Sequence, residues 1–272
     1  GNEILLKQAE IIKKHAVAGY LYGRVGEDHF VGIADEATFN EEYLYECRET
    51  LQNVLSDSVY NVRVCFGIYR TDNMNESLSF MCDKASFAVA SIKDDTHSFI
   101  AYYDDTMLEA AIKYKTIVDE FDDAIKAGEF KMYLQPQISA KTRRLTGAEA
   151  LVRRIKPDGT IISPIDFIPV YEKSGLISRL DRYIWEQAAA KLGEWKKAGI
   201  NMSISVNISP KDFYYIYIFN TFAGLIKKYD IEPSNLKIEI TETTIMSDVP
   251  NLMGELEELR KAGFTLEMDD FG

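Results

Sequence analysis

Apolar residues recur along this chain with two alternating periods, one helical and one strand-like. Over residues 2–17 they fall at helical spacing (Ile4, Leu5, Ile11, Ile12), which predicts a helix. Residues 19–34 read as two strands around a tight turn at Gly26–Asp28. A helix over about 40–55, a strand over 60–69, a helix over about 76–92 and a strand over 98–103 follow. Together they predict a compact α/β unit over residues 1–104. Residues 106–127 then carry an unbroken helical pattern through Met107, Leu108, Ala111, Ile112, Ile117, Val118, Phe121 and Ile125. Thr106 or Asp105 can cap its start and Gly128 marks its stop, so 105–127 is predicted as a linker helix.

From Phe130 onward the pattern changes. Residues 130–138 and 145–153 are strand-like, and helices are expected at about 164–174 and 181–198. A strand (202–208), a helix (219–229), a strand (236–241), a helix (249–262) and a strand (265–269) complete the chain. Strand and helix alternate in units of about 30 residues, the pattern of a parallel sheet or a (β/α) barrel. Gly199 and Gly263 fall where helices should stop before a strand. Residues 128–272 are therefore read as a second α/β domain.

Polar residues interrupt these apolar strands near their C-terminal ends. They are Asn207, Glu239 and the pair Asp269–Asp270, while Glu149 lies between Ala148 and Ala150 on an earlier strand. Glu149, Asn207, Glu239 and Asp269 are separated by 58, 32 and 30 residues. The last two separations equal one strand–helix unit, which would set the acceptors at a common level on neighbouring strands. In a barrel that level is the C-terminal rim, where sites are built. Clustered carboxylates repel one another and buried charges are costly; a divalent cation removes the conflict. An all-oxygen shell suits Mg²⁺ or Mn²⁺ better than zinc. Each residue taken alone has a plainer reading. Asn207 could cap a loop, Glu239 could pair with a lysine, and Asp269 or Asp270 could cap the next helix.

Composition narrows the partners. The chain has 272 residues, 46% of them hydrophobic, enough for real cores. A net charge of −12 argues against binding long nucleic acid or an anionic membrane. No apolar run approaches the roughly 20 residues that span a bilayer. The three cysteines, Cys47, Cys65 and Cys82, lack metal-ligand spacing. They read as reduced thiols of a protein in the cytoplasm, or in the cytoplasmic part of a membrane-anchored receptor.

The stretch Gly147-Ala148-Glu149-Ala150-Leu151-Val152-Arg153 resembles the signature of EAL phosphodiesterases. The resemblance runs from about Val118 to the end. It takes in Tyr133-Leu134-Gln135-Pro136, the segment 163–169, the segment 172–177, Val206-Asn207-Ile208-Ser209, the segment 239–243 and Asp269-Asp270-Phe271-Gly272. It implies a TIM-like barrel that hydrolyses cyclic di-GMP to linear pGpG. By position it implies that Glu149, Asn207, Glu239 and Asp269 bind a first metal, Mg²⁺ or Mn²⁺, and that Asp270 binds or bridges toward a second. It implies that Arg153 contacts substrate phosphate, that Gln135 lies on the guanine-binding surface, and that Glu242 holds the loop that starts at Asp269. The family often dimerises, so a homodimer is expected. Arg154 departs from the family, which usually has Trp after the arginine. The family's catalytic lysine, a later glutamate ligand and a glutamine would lie beyond Gly272, so residues 1–272 alone are expected to be inactive.

The turn Gly26-Glu27-Asp28-His29-Phe30, after Arg24-Val25, resembles that of GGDEF diguanylate cyclase domains. Glu27 stands where an active cyclase has its second glycine, and His29 where it has its second acid. A side chain at the glycine position crowds nucleotide phosphate, and His is a poor Mg²⁺ ligand beside a carboxylate. A retained hairpin without catalysis is expected, in a domain whose opening strand would precede Gly1. The reading is thus a partial GGDEF-type domain, a linker helix and a partial TIM-like EAL barrel. The alternatives are a cyclic di-GMP sensor that does not hydrolyse, and a protein-interaction module.

Overall fold

The computed structural model describes residues 2–15, 20–26, 28–55, 63–71, 73, 75–93, 95, 97–246 and 251–269. The chain divides into two units, Gly1–Lys113 and Tyr114–Gly272. Among the described residues no helix is long and apolar enough to cross a membrane.

The first unit holds α1 (Asn2–His15), β1 (Leu21–Arg24), β2 (Phe30–Ile33), α2 (Glu42–Leu55), β3 (Phe66–Ile68), α3 (Leu78–Ser91) and β4 (Ile100–Tyr102). β1 and β2 form the expected antiparallel hairpin, Arg24 opposite Phe30. Its turn closes through Val25 N–H to the His29 carbonyl at 3.1 Å, and Asp28 lies 3.1 Å from the His29 ring. Glu27 lies outside the described residues. β3 and β4 pair in parallel. The cores are small: Ile11, Cys47 and Leu51 form one cluster, Ala88, Ile92 and Ala101 another.

The predicted linker helix is two helices, α4 (Asp105–Asp119) and α5 (Phe121–Lys126), broken at Glu120. The boundary between units falls inside α4, not at either end of 105–127. The reason is burial: Ile117, Phe121 and Ala124 belong to the core of the second unit. The last turn of this segment is therefore part of that fold.

The second unit continues with β5 (Phe130–Ile138), β6 (Leu145–Ile155), β7 (Ile161–Ile162), α6 (Pro164–Ser174), α7 (Ile177–Lys197), β8 (Ser203–Ile208), α8 (Asp212–Tyr215) and α9 (Ile218–Tyr229). A 3₁₀ turn (Pro233–Asn235), β9 (Leu236–Thr241), α10 (Glu242–Met246), α11 (Leu252–Lys261) and β10 (Leu266–Asp269) follow. Gly199 and Gly263 sit at φ 72° and 92°, as their helix-ending places require.

The sheet runs β10-β9-β8-β6-β5, with β7 beside β6. β6, β8, β9 and β10 are parallel, but β5 and β7 are antiparallel to β6. The parallel run expected from the strand–helix alternation thus begins at β6, with β5 set antiparallel beside it. The segment 139–144 between β5 and β6 is too short for a crossover and can only turn back as a hairpin.

Strand alternation gives this sheet two unlike faces. Ala150, Ile204, Val206, Ile208, Leu236, Ile238 and Ile240 are buried in one core with Leu180, Trp185, Phe222 and Leu259 of the helices. The opposite face carries Gln135, Gln137, Glu149, Arg153, Ser203, Ser205, Asn207, Lys237, Glu239, Thr241, Glu267 and Asp269, as the cross-strand pairing shows.

Candidate functional site

The polar face brings the sequence-selected residues together, with a stagger that the sequence spacing did not show. In the ladder, Glu149 lies opposite Ser205, Asn207 opposite Glu239, Glu239 opposite Glu267, and Asp269 opposite Thr241. The four acceptors thus advance by two residues at two of the three steps, instead of lying at one ladder level. Such stagger accompanies strand tilt in barrels. It still permits contact along the diagonal: Asn207 Nδ2 donates to Glu149 Oε1 at 3.2 Å. That leaves Oδ1 of the Asn207 side chain for another partner.

Glu239 is the most buried acid of the polar face, 7% exposed. Burial pushes its carboxyl above the usual range, Ser205 opposes that by hydrogen bonding, and Glu149, Asp269 and Glu267 add repulsion. Gln137 Nε2 donates to Ser205 Oγ at 3.1 Å and to Glu239 Oε1 at 3.3 Å. The lysine nearest in the strand, Lys237, pairs with Glu267 at 2.6 Å instead. Its partners are therefore neutral donors, and the plainer lysine-pair reading of Glu239 is not what the fold adopts.

The remaining sequence-selected residues take these places. Gln135 is exposed on β5, opposite Glu149. Arg153 is half-buried on β6, its Nη1 donating to the Val152 carbonyl at 2.8 Å. Asp269 is exposed at the end of β10. Glu242 opens α10 directly after Thr241, the residue opposite Asp269. Asp270 lies outside the described residues. Gln137, Ser205, Lys237 and Glu267 were missed, yet each lies two positions from a selected residue, which the strand period places on the same face.

Among the described residues, no three His, Cys, Asp or Glu side chains close around a point as a ready metal shell. The donor chemistry nevertheless fits a hard cation. Glu239 is repelled by two other carboxylates of the proposed set, Glu149 and Asp269, and the Asn207 amide touches the first of them. Oxygen donors under mutual repulsion are what Mg²⁺ or Mn²⁺ relieves.

Arg154 faces the other way. Its side chain, 4% exposed, reaches Glu120 at 2.6 Å through Nη2 and Glu129 at 3.0 Å through Nε, and its guanidinium lies 5.7 Å from the Phe130 ring centre. The departure from the family's Trp therefore falls on the helix side of β6, away from the polar face that holds Arg153.

A mostly parallel sheet with helices on one face, and a carboxylate-lined polar face on which Asn207 and Asp269 sit toward the C-terminal strand ends, defines a barrel-type α/β site. The chain belongs to the EAL family: the EAL domain model matches residues 118–272. It is 27% identical, over its whole length, to the signaling protein YkoW of Bacillus subtilis, covering 35% of that protein. It is 25% identical, again over its whole length, to the bifunctional diguanylate cyclase/cyclic di-GMP phosphodiesterase MucR of Pseudomonas aeruginosa, covering 40% of it. The chain thus spans well under half the length of these relatives. The solved PaMucR phosphodiesterase in complex with c-di-GMP superposes with a TM-score of 0.54 at 28% identity, over 58% of this chain and 64% of that one.

Proposed function

We propose that the polar face binds and hydrolyses cyclic di-GMP to pGpG in a reaction dependent on Mg²⁺ or Mn²⁺. The observation that carries this reading is the convergence of Glu149, Asn207 and Glu239: one direct contact and one buried, mutually repelled carboxylate on adjacent strands. The family membership and the activities for which the relatives are named support it.

Glu149, Asn207, Glu239 and Asp269 would hold the first cation, and Asp270 would reach toward a second. A divalent cation held there would activate water and screen the charge that develops on the phosphate. The protein's own contribution is placement. Gln137 and Ser205 fix the Glu239 carboxyl by neutral hydrogen bonds, and Asn207 fixes Glu149. Arg153, on the same face of β6 as Glu149, offers a charge-assisted donor to substrate phosphate. Gln135, exposed beside Glu149, offers an amide to a guanine edge. Glu242 would steady the chain after Asp269. The first unit, with its retained hairpin and its Glu27 and His29 substitutions, is proposed as a degenerate GGDEF-type regulator, and the EAL domain as the site of homodimer contact.

The test is turnover. Intact protein given cyclic di-GMP with Mg²⁺ or Mn²⁺ should yield pGpG by chromatography, and Glu149→Ala should abolish it. Unchanged turnover in that variant would sink the assignment. Tight binding without turnover in the wild type would favour a sensor.

A further inference from the structure

A second group of carboxyls lies on the helix side, directly behind Asn207. Asp212 on α8 is fully buried. Its Oδ2 accepts the Ser209 N–H at 2.8 Å, closing the turn two residues after Asn207. Trp185 on α7 donates its indole N–H to the Asn207 carbonyl at 2.9 Å. The backbone that leads out of Asn207 is thus gripped from two helices. Ser178, Asp181 and Trp185 are three and four residues apart, which sets them on one stripe of α7.

The grip has an unsatisfied member. Asp212 Oδ1 is buried without an ordinary donor, and Ser178 Oγ beside it is likewise unpaired. A buried carboxylate oxygen left so is costly. The side chain facing it is another acid, Asp181, and Asp181 can donate only when it carries a proton. Burial, then the Asp212 charge, then Glu172 on α6 all push Asp181 well above the ordinary carboxylate range. Burial raises Asp212 to about 6, opposed by its polar neighbours Ser178, Ser209 and Asp181. Lys211 acts on Glu172, where it offsets part of the cost of burial. A pair pushed up in this way keeps a proton more readily than an isolated carboxyl does, and the Asp212 charge favours its staying with Asp181.

We propose that Asp181 and Asp212 share a single proton and, with Trp185, act as positioning residues that hold the turn of Asn207 in its metal-binding geometry. This rests on the metal reading given above. The protonated Asp181 supplies Oδ1 of Asp212 with its missing donor. Asp212 then keeps its charge for the Ser209 N–H, and the Asn207 carboxamide stays aimed across β8 at Glu149. A doubly ionised pair would push Asp212 out of place and loosen the turn.

The experiment measures Mn²⁺ affinity by calorimetry and the protonated-carboxyl infrared band on intact protein near neutral pH. Asp181→Asn carries a permanent donor in the same shape; it should bind Mn²⁺ as the wild type does and should lack the band. Asp181→Ala and Asp212→Ala should weaken Mn²⁺ roughly 10- to 100-fold, the usual cost of losing the group behind a ligand. If the alanine variants fail to fold, the infrared band and the Asp181→Asn affinity still decide the matter. A band absent from the wild type, or weak binding by Asp181→Asn, would overturn the shared proton. Wild-type affinity in folded alanine variants would overturn the positioning role alone. A wild type that binds no Mn²⁺ would overturn the metal reading itself, and the positioning role with it.

Discussion

Replacing Arg154 by Met should be among the most damaging single changes in the second unit, although Arg154 lies off the polar face. Its guanidinium is 4% exposed and bonds two carboxylates. Glu120 is 37% exposed, so it recovers water when its partner goes, and its share is about 0–1 kcal/mol. Glu129 is 14% exposed and cannot rehydrate as fully. Removing one partner of a buried pair costs about 3–5 kcal/mol, and the stack on Phe130 adds a smaller loss. We expect a loss of about 3 kcal/mol, or a drop in the melting midpoint of roughly 6–12 °C for a unit of this size. Urea unfolding followed by circular dichroism measures it, with an unchanged slope as the control. A second change, Glu129→Leu, removes the stranded acid and should restore much of the loss, because apolar pairs often match buried ion pairs. Arg154→Met within 0.5 kcal/mol of wild type, taken as about the scatter of surface substitutions, would refute the reasoning.

Four further outcomes are expected. Glu239→Gln should raise the melting midpoint of the metal-free protein, since it removes a charge repelled by Glu149, Asp269 and Glu267, while abolishing tight Mn²⁺ binding; a lower midpoint would contradict the repulsion. Gly147→Ala should destabilise the β6–β8 contact and weaken metal binding, because an added Cβ would lie 2.5 Å from the Ser203 carbonyl oxygen; circular dichroism melting and calorimetry report both. The Asp181–Asp212 pair has raised folded-state values, so the folded protein holds protons that the unfolded chain releases near pH 4. Its contribution to stability is therefore full below that pH and is lost as pH rises through about 6 and beyond; the slope of midpoint against pH should be shallower in Asp181→Asn. Trp185→Phe should lower metal affinity more than stability, since the ring's packing survives and only the bond to the Asn207 carbonyl is lost; equal affinity would show that bond to be idle.

Much of the second unit was legible because one alternation encodes two things. Ile238 and Ile240 mark a strand buried on helices, and the residue between them, Glu239, must then face the other side. The same rule placed Asn207 between Val206 and Ile208. Direction and stagger were harder. The six residues 139–144 already forbade a parallel β5–β6 pair, a signal that was present and unused. The two-residue offset between Glu149 and Asn207 comes from strand tilt, which no spacing between separate strands reports. Arg154 and Asp212 were opaque for another reason. Each is a charge buried by elements distant in sequence, and only the packing of α5 against β6, or of α7 against α8, shows what it touches.

The two-faced sheet separates the energy of the fold from its chemistry. Nearly all the apolar burial lies on the helix side, so residues on the other face can be exchanged one at a time without emptying the core. A lineage could lose Glu149 or Asp269 and keep the same scaffold, turning a catalyst into a receptor by single steps. Asn207 is the point where that independence ends, because its backbone is held from the helix side while its side chain serves the site.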